Sequence, residues 1–570
     1  MNPAKRLGPL GLSLLLLVGV SALFSGFHSP RGQGPDPREV RAKVGQLFML
    51  AFSGQDKERV LPLIRDRGIG ALYLSNDNLN DPKASAELLN ALQDAAVHGI
   101  AHQPLLTAAD QEGAWAIMVP TSASGPGNMA LGGADPKHTK AMYAVFAREL
   151  SSIGVFCDLA PDADVNSNPR NPIIGTRSFG EDATRVAAHV TAAIAGLHSG
   201  GVAATSKHFP GHGNTSSDSH AGLPHVDRSR TEIEGVDLKP FRAAVNAGVD
   251  VVMTAHIIYS ALDPDHPATL SSKILKDYLR KELGFRGLVI TDSFNMDAIR
   301  KNYSPPDAAV AALNAGADMI MLAEERYGDD VGDYVRSQTA MLDRVEQAVL
   351  KGEISMDRLN EAYGRVVALK AKYRIAQRVP VDPERAARTV GDARDRAVER
   401  SAARASANLV YDPRHLLPLK RGTSLYVTRL TTLDVDAMIR GMRGIGPNYS
   451  RGYLDFVEAL RSYGFAPHEF QPGEPVPGDA VVVTVSENYP LPGKAMDIEQ
   501  QHGRLAEIRR THAGPLVNVG LSAPYDALQV KPDAYVSAVG SNRSNAQAAA
   551  ALLAGVSRSS SKLSVTPIKD

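Results

Sequence analysis

The chain is poor in cysteine and tryptophan: its 570 residues include one of each, Cys157 and Trp115. A single cysteine excludes an intrachain disulfide and a thiolate zinc cluster. Cys157 follows a Val-Phe run, where a small buried side chain is the expected role. Net charge is lacking too, since 62 basic residues balance 62 acidic ones. Nucleic-acid binding usually leaves a basic surplus or stripe, and there is no Lys/Arg run interleaved with aromatics. Neither a repeat of solenoid period nor a low-complexity block is present. What remains is an ordinary globular composition, 44% hydrophobic and 22% charged, at a length that suggests about two to four domains.

The N-terminus places Lys5 and Arg6 before an uncharged stretch, Leu7 to Phe27, with a dense Leu14–Val18 centre. Residues 1–28 are expected to be a signal peptide or a membrane anchor, with a small-residue cleavage site at Val20-Ser21-Ala22. In either case the rest of the chain is exported, to the periplasm or the extracellular space. A Gly/Pro-rich linker (residues 29–39) follows. Eight short apolar runs then alternate with helix-period segments: Gln46–Ala51, Gly70–Leu74, Leu105–Ala109, Val155–Leu159, Val202–Ser206, Val251–Ala255, Leu288–Thr291 and Met319–Leu322. Strands buried on both faces read this way, and eight strand–helix units predict a TIM-type (β/α)8 barrel over residues 40–378. A charged, Ala/Arg-rich segment, residues 379–407, is expected to be exposed linker helix. Beyond it Ser424–Thr428, Ala480–Val485, Leu516–Val519 and Tyr535–Val539 predict a smaller open α/β sandwich domain over residues 408–570.

A TIM barrel carries its chemistry at the C-terminal ends of its strands. The third strand ends in Asp110-Gln111-Glu112-Gly113, and Arg177 lies in the segment after the fourth. The fifth runs into Lys207-His208-Phe209-Pro210-Gly211-His212-Gly213 and then Asp218-Ser219-His220; the sixth ends at His256 and the seventh at Asp292. His208, His212, His220 and His225 with Asp218 superficially suggest a metal cluster, but Pro210-Gly211 breaks any helix that would align them, and no helical zinc spacing is met. No metal is expected.

Together, the Lys207–Gly213 run, Asp218-Ser219-His220 and Val289-Ile290-Thr291-Asp292-Ser293 resemble glycoside hydrolase family 3, in its β-N-acetylglucosaminidase (β-N-acetylhexosaminidase) branch. The resemblance implies a retaining hydrolase with Asp292 as nucleophile and His220, oriented by Asp218, as general acid/base. It also implies sugar-hydroxyl ligands at Asp110, Arg177, Lys207 and His208, no cofactor, and an oligosaccharide or muropeptide substrate with terminal N-acetylglucosamine. One position departs from the branch: Met118 stands where a sugar-binding Arg is expected, and Trp115 nearby could stack on a sugar or simply pack. The same scaffold suits a β-glucosidase or a glycoside phosphorylase, because a histidine, unlike a carboxylate, does not repel phosphate. Met118 also leaves open a sugar-binding protein without turnover. Glu487, after a strand of the second domain, is a reserve acid, with solvation the plainer reading.

Overall fold

The computed structural model describes residues 35–114, 119–219, 222–323, 331–434, 451–487, 497–525 and 530–566. Trp115, Met118 and His220 lie outside the described residues, as do residues 7–27. Among the described helices none is long and apolar enough to cross a membrane.

The predicted barrel is present and closed. Its parallel strands are β1 (Phe48–Leu50), β2 (Ala71–Tyr73), β3 (Leu106–Ala109), β4 (Cys157–Asp158), β5 (Ala203–Phe209), β7 (Val251–Thr254), β9 (Leu288–Ser293) and β10 (Met319–Leu322), with β10 pairing back onto β1. All the residues of these strands are buried except Asp292, which is half-buried. That is why they appear in the sequence as unbroken apolar runs rather than alternating ones. Cys157 is buried, and burial pushes its thiol well above the ordinary thiol range. Two further short strands, β6 (His225–Val226) and β8 (Ile258–Tyr259), pair with each other beside the barrel.

The helices around the barrel share a start signal. Asp36-Pro37, Asp81-Pro82, Asp135-Pro136 and Asp382-Pro383 each begin a helix, with the Asp side chain accepting from a backbone N–H of the first turn. The cap supplies an acceptor for an otherwise unmatched donor, and Pro fits the first helical position because its missing N–H costs nothing there. The segment expected as exposed linker forms two helices, Pro383–Thr389 and Ala393–Ser406, and the second packs on the barrel. Asp395 and Glu399 are buried in that contact, where Arg148 meets Asp395 and the Ser124 hydroxyl donates to Glu399 at 2.6 Å.

The second sheet has the order β11-β16-β15-β14-β12-β13: β11 (Asn408–Tyr411), β12 (Leu425–Arg429), β13 (Pro467–Glu469), β14 (Val481–Ser486), β15 (Leu516–Gly520) and β16 (Ala534–Ser537). Only β11 is antiparallel. Helices Gly452–Ser462 and Arg543–Leu553 cover one face and Ile498–Thr511 the other, which gives the open α/β sandwich. Its carboxyl edge meets the barrel: Ala523 and Val539 pack on Met129 and Ala130, and Asn166 donates to the Tyr525 hydroxyl at 2.8 Å.

Candidate active site

β5 runs three residues further than its apolar run indicates, so Lys207 and His208 are strand residues rather than loop residues. Between Ser206 and Phe209 β5 advances three residues while β7 advances two, from Val252 to Thr254. β9 does the same against β10: Ile290 to Ser293 spans three residues opposite Met319 to Met321. An extra residue in one strand bends it and re-aims its side chains, a device common at barrel rims. Both irregularities fall on predicted site positions, Lys207-His208 and Thr291-Asp292. The glycines that follow β5 are required by space and angle. Gly211 has φ +139°, and a Cβ on Gly213 would come within 1.8 Å of the Val165 carbonyl oxygen.

Four of the predicted sugar ligands converge. Lys207 Nζ lies 2.5 Å from Asp110 Oδ1 and 2.6 Å from Glu112 Oε1, and the Tyr73 hydroxyl donates to Asp110 Oδ2 at 2.9 Å. Arg177 grips Glu112 with two parallel bonds, Nε to Oε2 at 2.9 Å and Nη2 to Oε1 at 2.8 Å. Its Nη2 also lies 3.5 Å from His208 Nε2. Burial alone would raise the Glu112 carboxyl, yet Arg177 and Lys207 hold it well below the usual carboxylate range. Burial likewise disfavours the charged Lys207, but Asp110 and Glu112 outweigh it and hold the ammonium above its ordinary value. The result is a compact charged cluster whose side chains are held in place by their own ion pairs.

Behind it, the Asp164 carboxylate organises the two histidines of the motif. His208 Nδ1 sits 2.8 Å from Asp164 Oδ2, and the backbone N–H groups of His208 and His212 both donate to Asp164 Oδ1. Asp162, Asp164 and His208 bring three ligand-type atoms within 4.8 Å, but His208 Nδ1 is taken up by Asp164. Burial raises both carboxyls; the charge of Asp164 pushes Asp162 up further, whereas the His212 and His208 N–H groups hold Asp164 at about 7. Burial, reinforced by Arg177, lowers His208 to about 4, and burial with His208 beside it lowers His212 to about 3. His225, in β6, is exposed, whereas His208 and His212 are buried.

Asp292 is half-buried at the end of β9 and accepts from the Ser293 N–H at 2.7 Å. Its charge acts on both His208 and His212, and the charge of Asp218 acts on His212. His256 braces the same strand end, with Nε2 3.1 Å from the Ser293 carbonyl and Nδ1 2.9 Å from Thr269 Oγ1. Asp218 is half-buried on the loop after β5, and the next residue, Ser219, accepts from the Ala298 N–H at 3.3 Å, six positions beyond Asp292.

The second domain closes one side of this cluster. A cleft beside Glu112 and Arg177 is walled by Ser522, Val539, Gly540 and Ser541, at the ends of β15 and β16. Glu487 is buried and paired with Arg429, not solvated as its position in the sequence suggested. Sequence reasoning passed over Glu112, Asp164 and Ser219. Glu112 was in plain view two residues after Asp110, and no signal marks Asp164 as the partner of a histidine 44 positions away.

The family model for the glycosyl hydrolase family 3 N terminal domain matches residues 39–369. Beta-hexosaminidase A of Pseudoalteromonas piscicida is 34% identical over 373 residues, 59% of this chain and 62% of that protein. A beta-N-acetylglucosaminidase/beta-glucosidase of Cellulomonas fimi is 31% identical over 462 residues, 79% of this chain and 77% of that one. Among solved structures, a family 3 beta-N-acetylglucosaminidase from Paenibacillus sp. superposes with a TM-score of 0.78 at 30% identity, covering 92% of this chain and 98% of that one. The barrel, its second domain and these matches establish that the chain belongs to glycosyl hydrolase family 3.

Proposed function

We propose that this is an exported, retaining, exo-acting β-N-acetylglucosaminidase that releases terminal N-acetylglucosamine from cell-wall fragments, muropeptides or chito-oligosaccharides. The observation that carries the reading is Asp292 on the bulged end of β9, its charge felt by His208, which lies 3.5 Å from Arg177 of the Lys207–Arg177–Glu112 cluster. The relatives' names support the sugar, and the uncharged, apolar stretch of residues 7–27 after Lys5 and Arg6 supports export or membrane attachment.

The sugar hydroxyls are held by Asp110, Lys207, Arg177 and His208. The Asp292 carboxylate attacks the anomeric carbon while His220, as imidazolium, protonates the leaving oxygen; the glycosidic bond breaks and a glycosyl ester forms. Neutral His220 then takes a proton from water, whose oxygen attacks the same carbon and releases Asp292. Two inversions return the β configuration. Asp218 fixes the tautomer of His220 and stabilises its charged form.

A panel of aryl β-glycosides differing at the 2-position tests both the reaction and the sugar. Faster cleavage of the 2-acetamido glycosides is expected, with free sugar as the product in phosphate buffer. A preference for the 2-hydroxyl compounds, or glycosyl phosphate as the main product, would overturn the reading, as would binding without cleavage.

A further inference from the structure

Resting on that reading, we propose that His212 is a positioning residue which, as its Nδ1–H tautomer, clamps Ser219 and so fixes the backbone that carries Asp218 and leads into residue 220. The tautomer is part of the proposal. Thr215 has one hydroxyl proton, and in the proposed arrangement it goes to the His212 carbonyl, 3.1 Å away. The Thr215 oxygen therefore accepts from His212 Nδ1, 2.8 Å away. In a neutral ring the other nitrogen is then an acceptor, and His212 Nε2 receives the Ser219 hydroxyl at 2.9 Å. Burial lowers the ring to about 3, so it is neutral near neutral pH and the acceptor is present there.

Each side of the clamp is itself anchored. Asn171 Nδ2 donates to the His212 carbonyl at 2.8 Å, and Asp164 accepts from the His212 N–H. Ser219 is held on its other side, at its carbonyl, by the Ala298 N–H, in the short helix Asp297–Arg300 that follows Asp292. Both residues are buried, at 2% and 1% exposure, so water cannot replace the bond. The sugar-binding strand, the Asp218 loop and the nucleophile strand are thereby tied into one frame. His212 touches no substrate in this scheme. It acts on proton transfer by holding the loop, and its removal should be felt where the leaving group needs a proton.

The test is kcat/KM across aryl and alkyl glycosides of graded leaving-group acidity. Ser219→Ala, which removes one oxygen and leaves the ring in place, should lower kcat/KM about tenfold on an unactivated glycoside and less than about twofold on a dinitrophenyl glycoside. His212→Gln, whose Oε1 reaches the Nε2 position, should stay within about threefold of the parent, whereas His212→Asn should behave like Ser219→Ala. A merely structural role would lower all substrates equally, and that result overturns the clamp. So would His212→Gln failing as badly as His212→Asn. His220→Ala is measured alongside. If it shows no leaving-group selectivity, the acid assignment falls and takes the clamp with it; if it does and Ser219→Ala does not, only the clamp falls.

Discussion

Glu112 accepts both prongs of the Arg177 guanidinium while also holding Lys207, so one buried carboxylate contacts two of the four predicted sugar ligands. Removing its charge takes from buried Arg177 its carboxylate partner and leaves Lys207 with Asp110 alone. Glu112→Gln should destabilise the fold by roughly 3–5 kcal/mol, the usual cost of breaking a buried pair, and raise KM more than it lowers kcat. Chemical denaturation and steady-state kinetics check this; an unchanged midpoint and KM would contradict it. The sign with pH is fixed as well. The folded-state carboxyl lies well below its ordinary 4.5, so its stabilisation is complete above about pH 4.5 and is lost only as pH falls toward that lower value.

Lys370 presents the opposite case. Its ammonium is buried, with Gln46 Oε1 2.6 Å away, and burial lowers it to about 7 from 10.5. The unfolded chain binds the proton more readily, so stability falls as pH drops from about 10.5 to about 7 and is unaffected by this group below that. Lys370→Met should raise the Tm at pH 7, and the gain should vanish or reverse by pH 10, where mainly the lost Gln46 bond remains. An equal shift at both pH values would contradict the assignment.

Histidine titration can be apportioned. His208 and His212 are lowered to about 4 and about 3 by burial, so neither changes charge between pH 5 and 8. A histidine-like inflection in kcat/KM near neutral pH is expected, and it should disappear in His220→Gln while surviving in His208→Gln. Loss of the inflection in His208→Gln would move the acid/base role to that residue.

The second domain supports the barrel's predicted sugar ligands from outside. Asn545 Nδ2 donates to the Pro126 carbonyl at 3.1 Å and to that of Ala538 at 2.7 Å, and two residues past Pro126, Asn128 holds the Arg177 carbonyl at 2.8 Å. Asn545→Ala leaves buried carbonyls unmatched, so a loss of about 1–3 kcal/mol is expected together with a several-fold rise in KM. A stability loss with KM untouched would show that the docking is structural only.

All eight barrel strands were legible because burial on both faces leaves continuous apolar runs such as Val251–Thr254 and Met319–Leu322. The strands that escaped notice are short or marginal. β11 exposes Leu409 and Tyr411, β13 is a three-residue edge strand that begins with Pro467, and β6 and β8 have two residues each. The site was legible as a set of residue types at strand ends, but its supports were not. A bulge exists only relative to the neighbouring strand, so no single run of sequence shows that β5 and β9 each carry an extra residue. Glu112 and Asp164 look like ordinary acids until the partners that bury with them, Arg177 and His208, are known.

The central claim is that Asp292 forms a covalent bond to the sugar, and mechanism-based trapping tests it most directly. Incubation with a fluorinated N-acetylglucosaminide bearing a good leaving group, then digestion and mass mapping, should find one glycosyl group on the peptide containing Asp292. Asp292→Ala should carry none. Undiminished labelling of that variant, or a label on another residue of the native enzyme, would contradict the account.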